Sequence, residues 1–355
     1  IIICIWFILN ISINWIMEMD KKYKSSLVLG KFYGLHTGHL YLIDTALENS
    51  EVVHVLACHN PTQTIPGKLR VKSLREIYES NPNVIIHSVD DSEMPQYEHE
   101  CKSLDEFYSY WVPFVYKFVG KLDCVFTSEN YGDDFAKYLG IKHYLVDKER
   151  KKFPISGTKV RTNPFDSWEF IPDEIKPYFV KRIVIMGPES VGKSTMSENL
   201  AKYYNTNFVE EYGRTVFERN GNKIGIEDFI PISVGRQELE NQKIKTSNKL
   251  LFCDTEDITT YLFSKMYFPN GYKSIENILL DKVYKNSNYD LYLLLKPDCD
   301  GVQDGTRQFL EERMEHYNVI KSELEKYNCN YIEVGGNWRD RLSKSIEIVN
   351  SQFNI

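Results

Sequence analysis

Two short stretches carry residue types at spacings suited to phosphate chemistry. "GPESVGKST", residues 187–195, fits G-x-x-x-x-G-K-[ST] in full and stands between an apolar, strand-like run and a helix-like segment. In such a loop Gly187 and Gly192 let backbone N–H groups curl round phosphate oxygens, and Glu189, Ser190, Val191 and Thr195 complete the ATP-binding cradle. Lys193 brings a point charge to the β- and γ-phosphates, and Ser194 a hydroxyl to Mg²⁺. "LLFCDT" puts Asp254 at the C-terminal end of an apolar strand, where a carboxylate holds Mg²⁺ directly or through water. The plainer role for Asp254 is an N-cap of the next helix. Glu211, in "FVEEYGR", offers a carboxylate to a substrate hydroxyl or a ribose, with Arg214 beside it. Surface charge is the plainer alternative for that pair. "CDGVQDGTRQFLEER", residues 299–313, reads as a mobile loop hinged on Gly301 and Gly305, with Arg307 and Arg313 placed to close over a transferring phosphoryl group. No N-K-x-D guanine-reading motif is present, so a small metabolite kinase is expected rather than a GTPase.

The second stretch is "GKFYGLHTGHLYLI", residues 30–43. His36 and His39 there suit metal ligation, nucleophilic catalysis or a phosphate cradle. A metal wants further ligands, and no Cys/His cluster of suitable spacing supplies them. A nucleophilic His wants an orienting partner, which the sequence does not reveal. Both histidines lie where a Gly-containing loop turns into a helix, a place suited to anions. They are expected to donate to phosphate oxygens and to stabilise charge growing in a transition state. Gly30, Lys31, Phe32 and Gly38 belong to the same loop. "ISGTKVR", residues 155–161, agrees: Ser156 and Thr158 give hydroxyls, Gly157 permits close backbone approach, and Arg161 offers a phosphate fork.

The elements that must position these residues follow from the apolar periodicity. Strands are expected over 26–32, 51–58, 83–89, 124–128 and 142–147, with helices after the His loop and over 68–80 and 104–120. This alternation makes a parallel, doubly wound sheet whose switch point receives the triphosphate. The pattern restarts at "KRIVIMG", residues 181–187, with further strands over 249–255, 289–297 and 330–336. The expected fold is therefore α/β in two domains, a Rossmann-like domain over 27–178 and a P-loop kinase domain over 179–355. Residues 1–26 are expected to be a non-native or disordered extension. Their start, "IIICIWFILNISINWIM", lacks a basic lead and a cleavage site, and translation from Met17 or Met19 is expected.

A chain of 355 residues suits two cores, and 42% hydrophobic with 26% charged residues is ordinary for a globular protein. The net charge of -7 with no long basic run argues against a nucleic-acid partner, and the basic "DKERKKF" at 147–153 reads as a solvated loop. The seven cysteines form no C-x-x-C pair, so neither a zinc site nor a disulfide framework is indicated, and a cytoplasmic location is expected.

G-x-F-x-x-x-H-x-G-H followed by I-S-x-T-x-x-R resembles the signature pair of the nucleotidyltransferase superfamily. With the P-loop domain after it, the chain resembles the fused nicotinamide-nucleotide adenylyltransferase/ribosylnicotinamide kinase family, the NadR type. The likeness runs from about residue 27 to about residue 350 through "TIPGKLR", "TSENYG", "NPFDSWEFIP", "EYGR", "DTEDITT" and "DGTR". Gly34 stands where that family commonly has Pro, so a more flexible loop is expected. Glu256 stands where it commonly has Asp, which shifts the weight to Asp254. No helix-turn-helix domain is expected before Leu27. The resemblance implies NAD biosynthesis in two steps. The C-terminal domain would phosphorylate nicotinamide riboside with ATP and Mg²⁺, and the N-terminal domain would adenylylate nicotinamide mononucleotide with a second ATP to give NAD and pyrophosphate. His36, His39 and Arg161 would act on the first domain's phosphates, and Lys193, Ser194, Arg307 and either Glu211 or Asp254 on the second's. Trp111 and Trp168 are the candidates for stacking on nicotinamide. Neither a nucleic acid nor a membrane is an expected partner, and a homo-oligomer stays open. Another adenylyltransferase–kinase fusion, such as one making coenzyme A, and a nucleotide-sensing regulator are the alternatives.

Overall fold

The computed structural model describes residues 21–95, 100–286, 289–299 and 311–355. The expected start of translation lies outside these residues. The chain divides into two compact units, the first ending at Ile175 and the second beginning at Lys176.

The first unit runs β1 (Tyr23–Gly30), α1 (Thr37–Asn49), β2 (Ser50–His59), α2 (Gly67–Ile77), β3 (Val84–Asp90), α3 (Leu104–Phe118), β4 (Cys124–Thr127), α4 (Gly132–Leu139), β5 (Lys142–Leu145) and α5 (Gly157–Thr162). Its sheet is parallel, in the order β3-β2-β1-β4-β5. Strands next to one another in sequence run outward from β1 on one side and then jump to β4 on the other, so the switch point lies at the C-terminal end of β1. β1 starts four residues before Leu27, which corrects the expected extension to residue 26. Tyr23 is buried edge-on against Phe126, with ring centroids 6.0 Å apart. The Asp123 carboxylate accepts the backbone N–H groups of Lys24 (2.9 Å) and Ser25 (3.0 Å), which holds the strand's start in place. One face of this sheet is covered by α3 and α4 around Leu27, Leu56, Val89, Val125 and Phe135.

The second unit runs α6 (Lys176–Phe179), β6 (Lys181–Met186), α7 (Lys193–Tyr203), β7 (Asn207–Val209), α8 (Tyr212–Arg219), α9 (Phe229–Lys243), β8 (Leu250–Asp254), α10 (Asp257–Tyr267), α11 (Glu276–Asn286), β9 (Leu291–Leu295), α12 (Arg313–Lys326), β10 (Tyr331–Val334) and α13 (Trp338–Phe353). The parallel order is β10-β9-β6-β8-β7, with β6 central. β8 and β9 are buried along their whole length, as strands covered on both faces must be, which is why "LLFCD" and "LYLLL" read as unbroken apolar runs. Arg236, buried on α9, pairs with Glu240 (2.8 Å) and Asp257 (2.9 Å) and donates to the Tyr289 hydroxyl (2.8 Å). This network ties α9 and α10 to the sheet, and Arg182, which pairs with Glu240 at 3.0 Å, brings the second positive charge that matches the two carboxylates, as buried charges require.

Candidate functional site

Each unit has a cavity at the C-terminal ends of its central strands. In the first unit it measures about 1040 Å³ and is lined by the His loop, the ends of β2 and β4, α3 and the 155–161 segment. The sequence separates the two phosphate segments widely, and two glycines join them. Gly34 has φ +90, and a Cβ there would lie 2.4 Å from the Gly157 carbonyl oxygen. A Cβ on Gly157 would lie 2.5 Å from the Tyr33 carbonyl oxygen. Proline, whose ring fixes φ near −65°, cannot adopt the Gly34 conformation. The expected looseness at Gly34 is therefore corrected: glycine is what lets this loop lock backbone-to-backbone onto the other.

Arg161 completes the junction. Its guanidinium donates to the Tyr33 carbonyl (2.5 Å) and the Thr158 hydroxyl (3.2 Å) and lies 4.1 Å from the Tyr33 ring centroid. The buried Arg70 approaches that ring to 5.3 Å and donates to the Lys31 carbonyl and to Gln63. The Tyr33 hydroxyl bonds Thr64 (2.7 Å). Ser156 caps α5, accepting the Lys159 N–H at 3.3 Å.

His36 and His39 stack on each other, centroids 3.8 Å apart and planes 25° apart. Phe32, at φ 45, sets its ring edge against His39 at 5.3 Å, so it positions a histidine besides lining the cavity. Gly38 leaves room for the His36 ring. The His36 backbone N–H donates to His39 Nδ1 (3.3 Å). An accepting Nδ1 leaves the proton of the neutral ring on Nε2. Burial, with Arg150 nearby, pushes the His36 pKa down to about 4. His39 is held well below its ordinary value by burial, then by His36 and Arg150. Both rings are thus uncharged donors near neutral pH, and His36 Nδ1 is buried with no partner. Trp111 and Lys31 line this cavity, whereas Trp168 packs edge-on against Phe165 at 6.0 Å and does not line it.

The second unit's cavity measures about 450 Å³ and is lined by Glu189, Ser190, Gly192, Lys193, Ser194, Thr195, Glu211, Arg214 and the aromatic rings of Phe217, Phe229, Phe263 and Tyr267. The P-loop lies directly after β6, with Lys193 buried and donating to the Pro188 carbonyl at 2.9 Å. Gly187 and Gly192 hold φ +153 and +86, and a Cβ on Gly192 would lie 2.9 Å from the Trp338 ring. Glu189 accepts the Tyr267 hydroxyl at 2.9 Å.

Asp254 is fully buried at the end of β8, and both its carboxylate oxygens lack a hydrogen-bond partner. Burial, followed by the charge of Glu211, pushes its pKa up to about 7, against the pull of Lys193, Ser194 and Arg214. Glu256, not Asp254, is the N-cap of the next helix. Its carboxylate accepts the N–H groups of Ile258 (2.7 Å) and Thr259 (3.0 Å). Asp254 therefore has no capping role to account for it. An orphaned carboxylate beside Ser194 fits an Mg²⁺ ion. Among the described residues no cluster of three or more His, Cys, Asp or Glu forms a metal cage. Glu211 and Arg214 pair loosely at 3.8 Å on the cavity wall. Arg307, Gly301 and Gly305 lie outside the described residues. Arg313 opens α12 and donates to the Cys299 carbonyl at 2.9 Å.

Sequence reading missed three supports. Arg341, buried on α13, donates to the carbonyls of Val191 (2.9 Å), Lys296 (2.8 Å) and Gly336 (2.7 Å), bracing the P-loop from behind. Its only signal was a lone Arg in the apolar phase of the last helix. Arg70 and Tyr33, which set Arg161, lay in quoted motifs without an assigned task.

A family model described as an AAA domain matches residues 182–341. The trifunctional NAD biosynthesis/regulator protein NadR of Escherichia coli (strain K12) is 31% identical over 360 residues, covering 94% of this chain and 84% of that protein. The nicotinamide-nucleotide adenylyltransferase of Thermococcus sibiricus (strain DSM 12597 / MM 739) is 24% identical over 158 residues, 43% of this chain and 81% of its own. A crystal structure of NadR protein in complex with NAD and AMP-PNP superposes with a TM-score of 0.79 at 19% identity, covering 94% of this chain and 97% of that one. With both phosphate cradles intact and that identity spread over both units, the chain belongs to the NadR family.

Proposed function

We propose that this chain makes NAD in two transfers. The second unit passes the γ-phosphoryl group of ATP to the 5′-hydroxyl of nicotinamide riboside. The first unit then lets a phosphate oxygen of nicotinamide mononucleotide attack the α-phosphorus of a second ATP. The bond to the bridging oxygen breaks, and pyrophosphate leaves with NAD formed. The observation that carries this reading is two complete, separately built phosphate sites in one member of this family.

Neither transfer needs a covalent intermediate, so catalysis is positioning and electrostatics. In the first unit His39 donates from Nε2 to a phosphate oxygen, and His36, Lys31 and Arg161 take up charge on the departing pyrophosphate. Ser156, Gly157 and Thr158 hold the nucleotide. In the second unit Lys193 leaves the Pro188 carbonyl for the β- and γ-phosphates. Glu211 lines the cavity and Asp254 does not, so Glu211 is the group to accept the 5′-hydroxyl proton. Asp254 and Ser194 would hold Mg²⁺, which supplies charge neutralisation on the phosphates. The rings and glutamates of this cavity suit a cationic heterocycle such as the pyridinium of nicotinamide riboside. Among the described residues no helix is long and apolar enough to cross a membrane, and the six cysteines are unpaired, which supports action in the cytoplasm.

The test is to incubate the protein with nicotinamide riboside, ATP and Mg²⁺ and to separate the products by chromatography. NAD is the expected product. Accumulation of nicotinamide mononucleotide alone would remove the first unit's activity, and no turnover of either nicotinamide substrate would overturn the proposal.

A further inference from the structure

An arginine that meets charge only as it grows in a transition state gains from being held in place beforehand. Its side chain is long, so several holds are needed. Arg161 has one within its own helix, the Thr158 hydroxyl. Two more come from Tyr33, 128 residues away in the chain. The Tyr33 carbonyl accepts one guanidinium N–H, and the Tyr33 ring lies against the guanidinium carbon at 4.1 Å from its centroid. Gly157 leaves room for this arrangement, since a Cβ there would lie 3.4 Å from Arg161 Nη1.

The ring is fixed in its turn. Its hydroxyl shares a 2.7 Å hydrogen bond with Thr64 Oγ1 and accepts the Thr64 backbone N–H at 3.0 Å. The buried Arg70 guanidinium stands 5.3 Å from the same ring. Arg70 and Arg161 repel each other, and the negative π-face of a ring close to both offsets part of that repulsion. Tyr33 and Arg161 both line the first cavity. The Tyr33 carbonyl and Thr158 use two of the N–H donors of Arg161 and leave the others for an anion there.

We propose that the Tyr33 side chain is a positioning residue for adenylyl transfer: its ring, pinned by Thr64, keeps the Arg161 guanidinium turned to the departing pyrophosphate. This rests on the adenylyltransferase reading of the first unit. The carbonyl of residue 33 survives any substitution of its side chain, so variants at this position isolate the ring and its hydroxyl. A side chain that only packs would affect stability and would act independently of Arg161. One that acts through Arg161 loses its effect when Arg161 is changed.

The experiment measures kcat and KM for nicotinamide mononucleotide with ATP in the wild type, Tyr33→Phe, Tyr33→Leu, Arg161→Lys and the double variant Tyr33→Leu/Arg161→Lys. Urea unfolding reports that each protein is folded. Charge on the pyrophosphate grows in the transition state, so the loss should fall on kcat rather than KM. Tyr33→Leu removes the cation–π contact and the alignment it gives, and should lower kcat at least about tenfold. Tyr33→Phe keeps the ring and loses the Thr64 pin, and should lower kcat by about threefold. Lysine has no planar fork to lay on the ring, so in Arg161→Lys the change Tyr33→Leu should cost no more than about twofold further. Full kcat in folded Tyr33→Leu, a loss confined to KM, or effects of the two substitutions that multiply would overturn the assignment. If Arg161→Lys loses all turnover, the same cycle is run on equilibrium binding of pyrophosphate: coupled losses support the assignment and independent losses overturn it. If Tyr33→Leu does not fold, Tyr33→Met takes its place in the cycle. Failure of the wild type to turn over the mononucleotide would instead overturn the adenylyltransferase reading.

Discussion

The two phosphate sites solve the same electrostatic problem with opposite materials. The second unit's cradle is one continuous loop of nine residues, built of backbone N–H groups with a buried Lys193 at its base. The first unit's is assembled from two distant segments and relies on side chains: a stacked pair of histidines and an arginine. Their resting charge differs as well. The first site keeps its histidines uncharged near neutral pH, while the second keeps a buried carboxyl whose proton affinity is raised. A contiguous motif tolerates changes around it, because its geometry is local. A site joined across the chain depends on the joint.

Four experiments sharpen or break this contrast. The largest effect is expected from Lys193→Ala, which should lower ribosylnicotinamide kinase turnover by roughly 10³-fold, as loss of a phosphate-clamping charge does, and leave adenylyl transfer intact. Assays started from nicotinamide riboside and from nicotinamide mononucleotide separate the two. Loss of both activities in a folded protein would end the two-site picture. His39→Ala should do the reverse, cutting adenylyl transfer by roughly 10²-fold through loss of one preorganised donor. Retained activity there would move the donor role to His36.

Gly34→Ala tests the joint itself. A methyl at φ +90 and 2.4 Å from the Gly157 carbonyl should cost about 2 kcal/mol or more of stability and should abolish adenylyl transfer before kinase activity. Urea unfolding with both assays measures this, and a neutral outcome would mean the two backbones do not touch. The smallest effect concerns pH. The His36 pKa is about 4 folded against an ordinary 6.5, so between those values the unfolded chain binds a proton that the folded one refuses. The stability His36 allows is fully present above pH 6.5 and is lost as pH falls towards 4, by at most roughly 3 kcal/mol. His36→Gln should flatten the slope of unfolding free energy against pH over that window, and an unchanged slope would place the titrating group elsewhere.

Much of this molecule was legible from its sequence because the cause was local. Buried parallel strands such as "LYLLL" and "LLFCD" announce themselves as apolar runs, and the P-loop carries its geometry in its own glycines. What stayed hidden depends on partners distant in the chain. Gly34 read as slack because nothing near it in sequence reveals the Gly157 carbonyl pressed against it. Glu256 read as a displaced family position, yet it is the cap that frees Asp254 from structural duty. Trp168 read as a stacking platform because an aromatic residue does not say in advance whether its neighbour is a ligand or Phe165. Arg341 was silent because three of its acceptors are carbonyl groups, which every residue has, and its carboxylate partner Asp298 lies 43 residues away in the chain.

The contact between Gly34 and Gly157 also sets an order of events during synthesis. A ribosome-bound chain that has emerged only as far as β5 holds both histidines but has nothing to close them on, so its nucleotide site does not yet exist. The second unit's phosphate loop is contiguous and emerges at once with β6 and the first turn of α7, but Arg341, which braces it through the Val191 carbonyl, follows 150 residues later on α13.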